Sequence, residues 1–447
     1  MSRMVSVDQM PGSLVFVLVL LVTSAAGSEP KSDATQSADK PNILFLFTDD
    51  QRFDTIGALG NPDIHTPALD RLTRSAMTFT NCHVFGSNSP AVCRPSRNML
   101  LSGRSYFRWK GDYAPGDEAN LPVTLATAGY QTYHHGKRGN TAVKIQERFD
   151  INKYLDDEAD RTSGEPGKTI VDEAISFLDT RDQNKPFFMY LAFANPHDPR
   201  VAAPVYQERY RGVALPLPKN FLPKHPFDNG ELRIRDELLA PFPRTEAEIR
   251  RQLTDYYAVI TGLDGHIGRL LDHLKASGED RRTLIVFSSD NGLALGSHGL
   301  MGKQNLYEHS AKVPLLIAGP GVSPGRSDAL LYLMDLFPTL CELVGVEIPA
   351  GLDGMSVAPI FKGMPGAGRE DLLLTYRDVQ RGIRDSRWKL LCYPNSKNYQ
   401  LFDLKSDPDE RVNYFNDPLQ RKRIQSLFTR LGELQKKFGD PLVVPGP

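Results

Sequence analysis

The sequence predicts an α/β protein: a large mixed, mostly parallel sheet between helices, followed by a small α+β unit at the C-terminal end. Three observations carry this. The runs NILFLF at 42–47, FFMYLAF at 187–193 and LIVF at 284–287 have strand length and no polar alternation. A strand that is apolar at every position is covered on both faces, as in parallel sheets. Helical segments lie between these runs. Beyond about residue 365 the texture changes to short alternating strands, GIRDSRWKLLCY and YQLFDL, and a final helix over about 419–438.

The elements follow in chain order. Residues 14–22, LVFVLVLLV, precede the small residues TSAAGS, so 1–27 reads as a signal peptide cleaved after Ala26 or Gly27. The run is too short to span a bilayer, and no later one is long and apolar enough. The expected product is exported, periplasmic or secreted, with no membrane anchor. A polar linker covers 28–40, a catalytic domain 41–364 and the small α+β subdomain 365–447. Thr66-Pro67 opens a helix with Thr at the N-cap and Pro at the first helical position. A second helix covers 121–128, and a long amphipathic helix covers 253–274. A fourth buried strand lies at 313–318. With 53 Lys and Arg against 54 Asp and Glu, the formal net charge is −1. There is no electrostatic case for a nucleic-acid partner. The four cysteines, Cys82, Cys93, Cys341 and Cys392, allow two disulfides, or at most one if Cys93 is chemically special.

The polar ends of the apolar strands carry the functional signal. NILFLF runs into Thr48-Asp49-Asp50, FFMYLAF into Asn195-Pro196-His197-Asp198, and LIVF into Ser288-Ser289-Asp290-Asn291-Gly292. In open α/β sheets ligands bind beyond the carboxyl ends of the strands. Asp49, Asp50, Asp290 and Asn291 would gather there as hard oxygen ligands, suited to Ca²⁺ or Mg²⁺ rather than zinc. Either pair alone reads as a turn; both pairs at strand ends read as a metal site. Arg97, Lys137, His197, His298 and Lys303 add cationic groups in loops and at element ends. A divalent cation with Lys and Arg points to an oxyanion ester, sulfate or phosphate. Cys93 opens a predicted helix in the sequence CRPSRNMLLSGR, and a plain thiol there is expected to have a lowered pKa.

CRPSRNMLLSGR and GYQTYHHGK, together with PNILFLFTDD and SSDNG, resemble the signatures and metal segments of the sulfatase family within the alkaline phosphatase superfamily. The resemblance covers nearly the whole chain after the leader. It implies an alkaline phosphatase-like fold and an enzyme, a sulfuric ester hydrolase. It further implies that Cys93, in C-x-P-x-R with Pro95 and Arg97, is oxidised to Cα-formylglycine by a formylglycine-generating enzyme. The aldehyde then hydrates to a gem-diol. One hydroxyl attacks sulfur, and the other later expels sulfate. Asp49, Asp50, Asp290, Asn291 and the modified Cys93 would hold one Ca²⁺, Arg97 would support the nucleophile, Lys137 and Lys303 would bind sulfate oxygens, and His197 would sit near the leaving oxygen.

One position departs from the family. Two residues after the second-signature lysine the family commonly has a histidine that contacts the gem-diol; here stands Gly139. His134 or His135 is the candidate substitute, with His135 also expected at the substrate. Arg200, just after His197, is expected to pair with a uronate or a second sulfate, and His298 to contact substrate. The expected substrate is a sulfated carbohydrate or polysaccharide fragment. The alternatives are a choline or aryl sulfate, a phosphoester or phosphonate, or non-catalytic binding of a sulfated glycan.

Overall fold

The computed structural model of the protein describes residues 40–109, 119–364 and 366–446. The expected signal peptide, and all of the expected linker but its last residue, lie outside them. The strands are β1 (Asn42–Thr48), β2 (Met77–His83), β3 (Gly86–Ser87), β4 (Gln131–Lys137), β5 (Ile151–Leu155), β6 (Phe187–Ala192), β7 (Thr283–Ser289), β8 (Lys312–Ala318), β9 (Gly325–Tyr332), β10 (Leu372–Tyr376), β11 (Gln380–Arg384), β12 (Trp388–Tyr393) and β13 (Asn398–Asp403). Eight of them form the main sheet in the order β5-β4-β6-β1-β7-β8-β2-β9. β8 alone runs against its neighbours, pairing antiparallel with β7 and β2; the other pairs are parallel. The sheet is therefore mixed and mostly parallel, as expected, and β1, β4, β6 and β7 end on one rim.

The continuous apolar runs follow from burial on both faces. Every residue of β1 is buried. Its Phe45 and Phe47 join Tyr190 of β6 beneath the helix Cys93–Ser102. Leu44 and Leu46 join Leu263 and Ile267 of the long helix on the opposite face. That helix runs Glu246–Ala276, beginning ahead of its apolar stripe. The Thr245 side chain accepts from the Glu248 amide at 3.3 Å, and Glu246 and Glu248 sit favourably in the first turn.

The helix Pro67–Ser75 is capped differently from the sequence expectation. Thr66 makes no side-chain cap; its hydroxyl donates to Asp70 and accepts from the Gly57 amide. Asp264, from the long helix, instead accepts from the amides of Ala68 and Leu69 at 2.9 and 2.8 Å. A tertiary carboxylate does the work expected of the local hydroxyl, and it binds the two helices together.

The second sheet has the order β13-β12-β11-β10-β3. Its edge strand β3 precedes Cys93, so the loop entering the Cys93 helix is tied to the tail. A glycine is required there: Gly86 has φ +130°, and a Cβ would lie 1.7 Å from the Thr375 carbonyl oxygen. The polar residues of β11 and β12 do not face water, as alternation suggested. Arg384 and Lys389 are buried around Glu308, with His83 and Lys312 also facing it, at 3.3, 3.0, 3.1 and 3.5 Å. Lys389 also pairs with Glu410 at 2.9 Å. Burial opposes the charge on Glu308, but Lys389 and Arg384 outweigh it and hold its carboxyl well below the usual range. All four cysteines are buried free thiols.

The Glu308 cluster fastens the tail to the main sheet through buried charge. Removing one partner of such a cluster strands the others in a poor solvent. Glu308→Ala is expected to lower the unfolding free energy by about 3–5 kcal/mol. Denaturant titration measures this; a loss below about 1 kcal/mol would mean the pairs behave as exposed ones.

Candidate active site

The site forms where β1, β4, β6 and β7 end. Asp49 and Asp50 follow β1, and Asp290 and Asn291 follow β7. One oxygen from each of Asp49, Asp50 and Asp290, and the Cys93 sulfur, lie within 4.8 Å of one another. All four residues are buried. Asp50 adopts a left-handed backbone (φ 66°), with its amide donating to Asp290 at 3.1 Å and its carbonyl accepting from Tyr256 at 2.5 Å.

Two cations face these carboxylates. Arg97, fully buried, donates through Nε to Asp290 at 2.8 Å and lies 3.5 Å from Asp49. Its guanidinium stacks 5.0 Å from the Phe47 ring. Lys303 donates to Asp50 at 2.6 Å and to the Cys93 sulfur at 2.9 Å. Burial works against ionising Asp49, but Arg97, His197 and Lys303 overcome it and hold the carboxyl well below its usual range. Burial, then the charge on Asp49, pushes Asp290 up.

Cys93 corrects a sequence expectation. Burial, then Asp290 and Asp49, push its thiol well above the usual range. The helix terminus is outweighed because the sulfur points into carboxylates, 3.0 Å from Asp49 Oδ1. With only these side chains around it, the Cys93 thiol holds its proton.

A cleft of about 490 Å³ opens above this floor. Asp49, Cys93, Lys137, His197 and Lys303 line it. His197 Nδ1 lies 2.7 Å from the Asp198 carbonyl oxygen and 3.1 Å from Arg161 Nη1, and Nε2 is on the site side, 3.8 Å from Asp50 Oδ2. The structure thus brings together Asp49, Asp50, Cys93, Arg97, Lys137, His197, Asp290, Asn291 and Lys303.

Four expected residues are elsewhere. Arg200 turns back onto the long helix, donating to Gln252 at 2.9 Å and stacking 5.4 Å from Tyr256. His298 is buried against Tyr307, with ring centroids 3.9 Å apart, and bonds the Glu410 carbonyl at 2.9 Å, where it helps dock the tail. His135 projects from the opposite face of β4 to His134, near Glu173 and Lys153. His134 is on the Cys93-helix side, but stacks on Tyr190 beneath the cleft and bonds Asn152 at 2.7 Å. Burial lowers both imidazoles to about 4, and neither lines the cleft.

Other residues complete the walls. Gly139 has φ +79° with open space beside it. This turn brings Asn140 inward, and its amide donates to Asp49 Oδ2 at 2.9 Å. The sequence signal was its place three residues after the signature lysine. Arg235 and Asp236 roof the cleft, and Gln304 ties Asp236 to the Pro90 carbonyl at 2.7 and 2.9 Å. No strand end flags 235–236, so pattern reading passed over it.

The Sulfatase family model matches residues 41–346. The chain belongs to the sulfatase family. A second model, N-sulphoglucosamine sulphohydrolase, C-terminal, matches residues 296–437. This sulfatase, a sulfuric ester hydrolase of the alkaline phosphatase superfamily, is 28% identical to an N-acetylglucosamine-6-O-sulfatase of Bacteroides thetaiotaomicron, over 96% of this chain and 92% of that protein. It is 30% identical to an ulvan-active sulfatase of Formosa agariphila, over 89% and 82%. A structure solved in complex with its substrate D-glucosamine-2-N,6-O-disulfate matches with TM-score 0.77 and 26% identity, over 90% of this chain and 99% of that one.

The residues of the sulfatase fit a divalent cation. Three buried carboxylates face two buried cations, and the Asn291 side-chain oxygen is buried without a hydrogen-bond partner. A hard cation would satisfy both deficits. Added Ca²⁺ is therefore expected to raise the melting temperature of the wild-type sulfatase and to leave Asp290→Ala unmoved. Equal shifts in the two proteins would mean that the ion binds elsewhere.

Proposed function

We propose that this protein is an exported, calcium-dependent sulfatase of sulfated carbohydrates, acting through formylglycine at position 93. The observation that carries the reading is the setting of Cys93. Its sulfur touches Asp49 and Lys303 at the floor of a cationic cleft, yet its thiol is driven up. The position suits a nucleophile, and the thiol does not suit the position. Pro95 and Arg97 follow it as the C-x-P-x-R motif requires. Export rests on the apolar run at 14–22 and the small residues after it.

Asp49, Asp50, Asp290 and Asn291 would hold the calcium, which would supply positive charge to an oxygen nucleophile and to sulfate oxygens. A hydrated aldehyde at position 93 would supply that oxygen together with a second hydroxyl for sulfate release. The chain's own groups do the rest. Lys303 reaches the position of the nucleophile from one side. Lys137 and Lys303 line the cleft where charge on the sulfuryl oxygens must be stabilised. His197, whose Nδ1 faces the Asp198 carbonyl and Arg161, offers Nε2 to the leaving oxygen. A carbohydrate substrate is supported by the N-acetylglucosamine-6-O-sulfatase and the ulvan-active relative.

The decisive test follows Cys93 itself. In protein co-expressed with a formylglycine-generating enzyme, the Cys93 peptide should be lighter by the difference between a thiol and an aldehyde, and should resist alkylation. Sulfate release from 6-sulfated N-acetylglucosamine should rise with that modified fraction, and Cys93→Ala should be folded and inactive. Full activity with unmodified Cys93 would sink the mechanism, and faster turnover of phosphonates than of any sulfate ester would reassign the substrate.

The role of His197 has its own signature. His197→Ala should lower kcat/KM on alkyl sulfates by about 10²–10⁴-fold. An aryl sulfate with an acidic phenol should lose far less, because its leaving group needs no proton. Equal losses on both would remove His197 from the leaving oxygen.

A further inference from the structure

The cleft holds more positive charge than one sulfate ester needs. The reading above gives Lys137, Lys303 and His197 to the ester; Arg94, Arg138 and Arg235 also line the cleft, with Arg235 held by Asp198 and Asp236. Arg138 is exposed. It is nonetheless held in place. Its guanidinium stacks over the Tyr154 ring at 5.3 Å. The Tyr154 hydroxyl accepts from Asn152 Nδ2 at 2.9 Å, and Asn152 Oδ1 bonds His134 Nδ1 at 2.7 Å. The buried His134 thus anchors a ladder across β4 and β5 that ends at the cleft mouth.

Next to Arg138 the wall is open. A Cβ on Gly139 would meet nothing within 4 Å. A bulky side chain there would also be strained at φ +79°. Cys93, Gly139 and Arg138 line the same cleft, and Arg138 rests on Tyr154. An exposed aromatic ring carrying a guanidinium suits a sugar that bears an anion.

We propose that Arg138, mounted on Tyr154, is a specificity residue that binds a second anionic group of the substrate, a carboxylate or a second sulfate, outside the reacting ester. The proposal rests on the sulfatase reading above and adds to it a substrate with at least two negative charges. It replaces the expectation placed on Arg200, which faces the long helix instead.

The test compares three probes: glucosamine 6-O-sulfate, glucosamine 2-N,6-O-disulfate, and a disaccharide joining a uronate to 6-O-sulfated glucosamine. Matured wild-type enzyme should favour at least one doubly charged probe by about tenfold or more in kcat/KM, the scale of one charge-assisted contact. The probe that shows the preference names the group as sulfate or carboxylate. Arg138→Ala should abolish the preference through KM, with kcat on glucosamine 6-O-sulfate within about twofold of wild type. Arg138→Lys should restore part of it, and Tyr154→Ala should weaken it. A preference that survives Arg138→Ala, or an equal loss on all three probes, overturns the subsite. Equilibrium binding to Cys93→Ser, with and without Arg138→Ala, reads the same difference without turnover. Absence of sulfate release from every probe would count against the sulfatase reading, while absence of any Arg138-dependent binding would count against the subsite alone.

Discussion

The structure is organised around one electrostatic constraint: three buried carboxylates, Asp49, Asp50 and Asp290, must share a few ångströms of space. Like charges at that range cannot all ionise unaided. Arg97 and Lys303 answer part of the repulsion, and each is placed by a different element. Arg97 comes one turn into the Cys93 helix, buried beside Phe47. Lys303 comes from the long loop after β7. The parallel strands β1 and β7 fix the carboxylates side by side, with Thr48 in register with Ser289. The second sheet holds the loop into the Cys93 helix through β3. Each part of the fold near the site thus either supplies a charge or holds one.

The same logic recurs at the seam between the sheets, with the signs exchanged. Glu308 and Glu410 sit among Arg384, Lys389, Lys312 and His83. Here three cations and an imidazole surround two carboxylates, and burial still pushes Glu410 up to about 7 against the pull of Lys389. At the active site three carboxylates face two cations, and Asn291 leaves an oxygen unpaired. Both clusters border a cleft, Glu308, Lys312 and Glu410 lining one and Asp49, Cys93 and Lys303 the other.

Much of this was legible in the sequence because it depends on local pattern. Uniformly apolar runs marked β1, β6 and β7, and their polar ends marked the rim. What failed depended on orientation and tertiary partners. Adjacent residues on a strand face opposite ways, so at most one of the two candidates, His134 or His135, could face the site. The sequence does not say which face carries the Cys93 helix, nor that both faces are already filled. Arg200 and His298 follow turns whose direction no periodicity encodes. The lowered thiol pKa is a sound rule for an isolated helix end, overruled here by burial and then by carboxylates arriving from strands β1 and β7. Thr66 lost its capping role to Asp264 for the same reason: a partner distant in sequence outbid the local one.

Gly139 stands where the family resemblance leads one to expect a histidine. Its left-handed turn admits Asn140, whose amide grips Asp49 Oδ2. An amide can orient a carboxylate, but it cannot take a proton at neutral pH. Asp49 is itself a weak base, since Arg97, His197 and Lys303 hold it ionised. Among the described residues, His197 is the one imidazole lining the cleft. Under the proposed reaction, a side chain that gives a proton to the leaving alcohol can take one back in the next step. A single imidazole can then serve both half-reactions in turn. Gly139 lines the cleft next to Arg138, and a Cβ there would meet nothing within 4 Å.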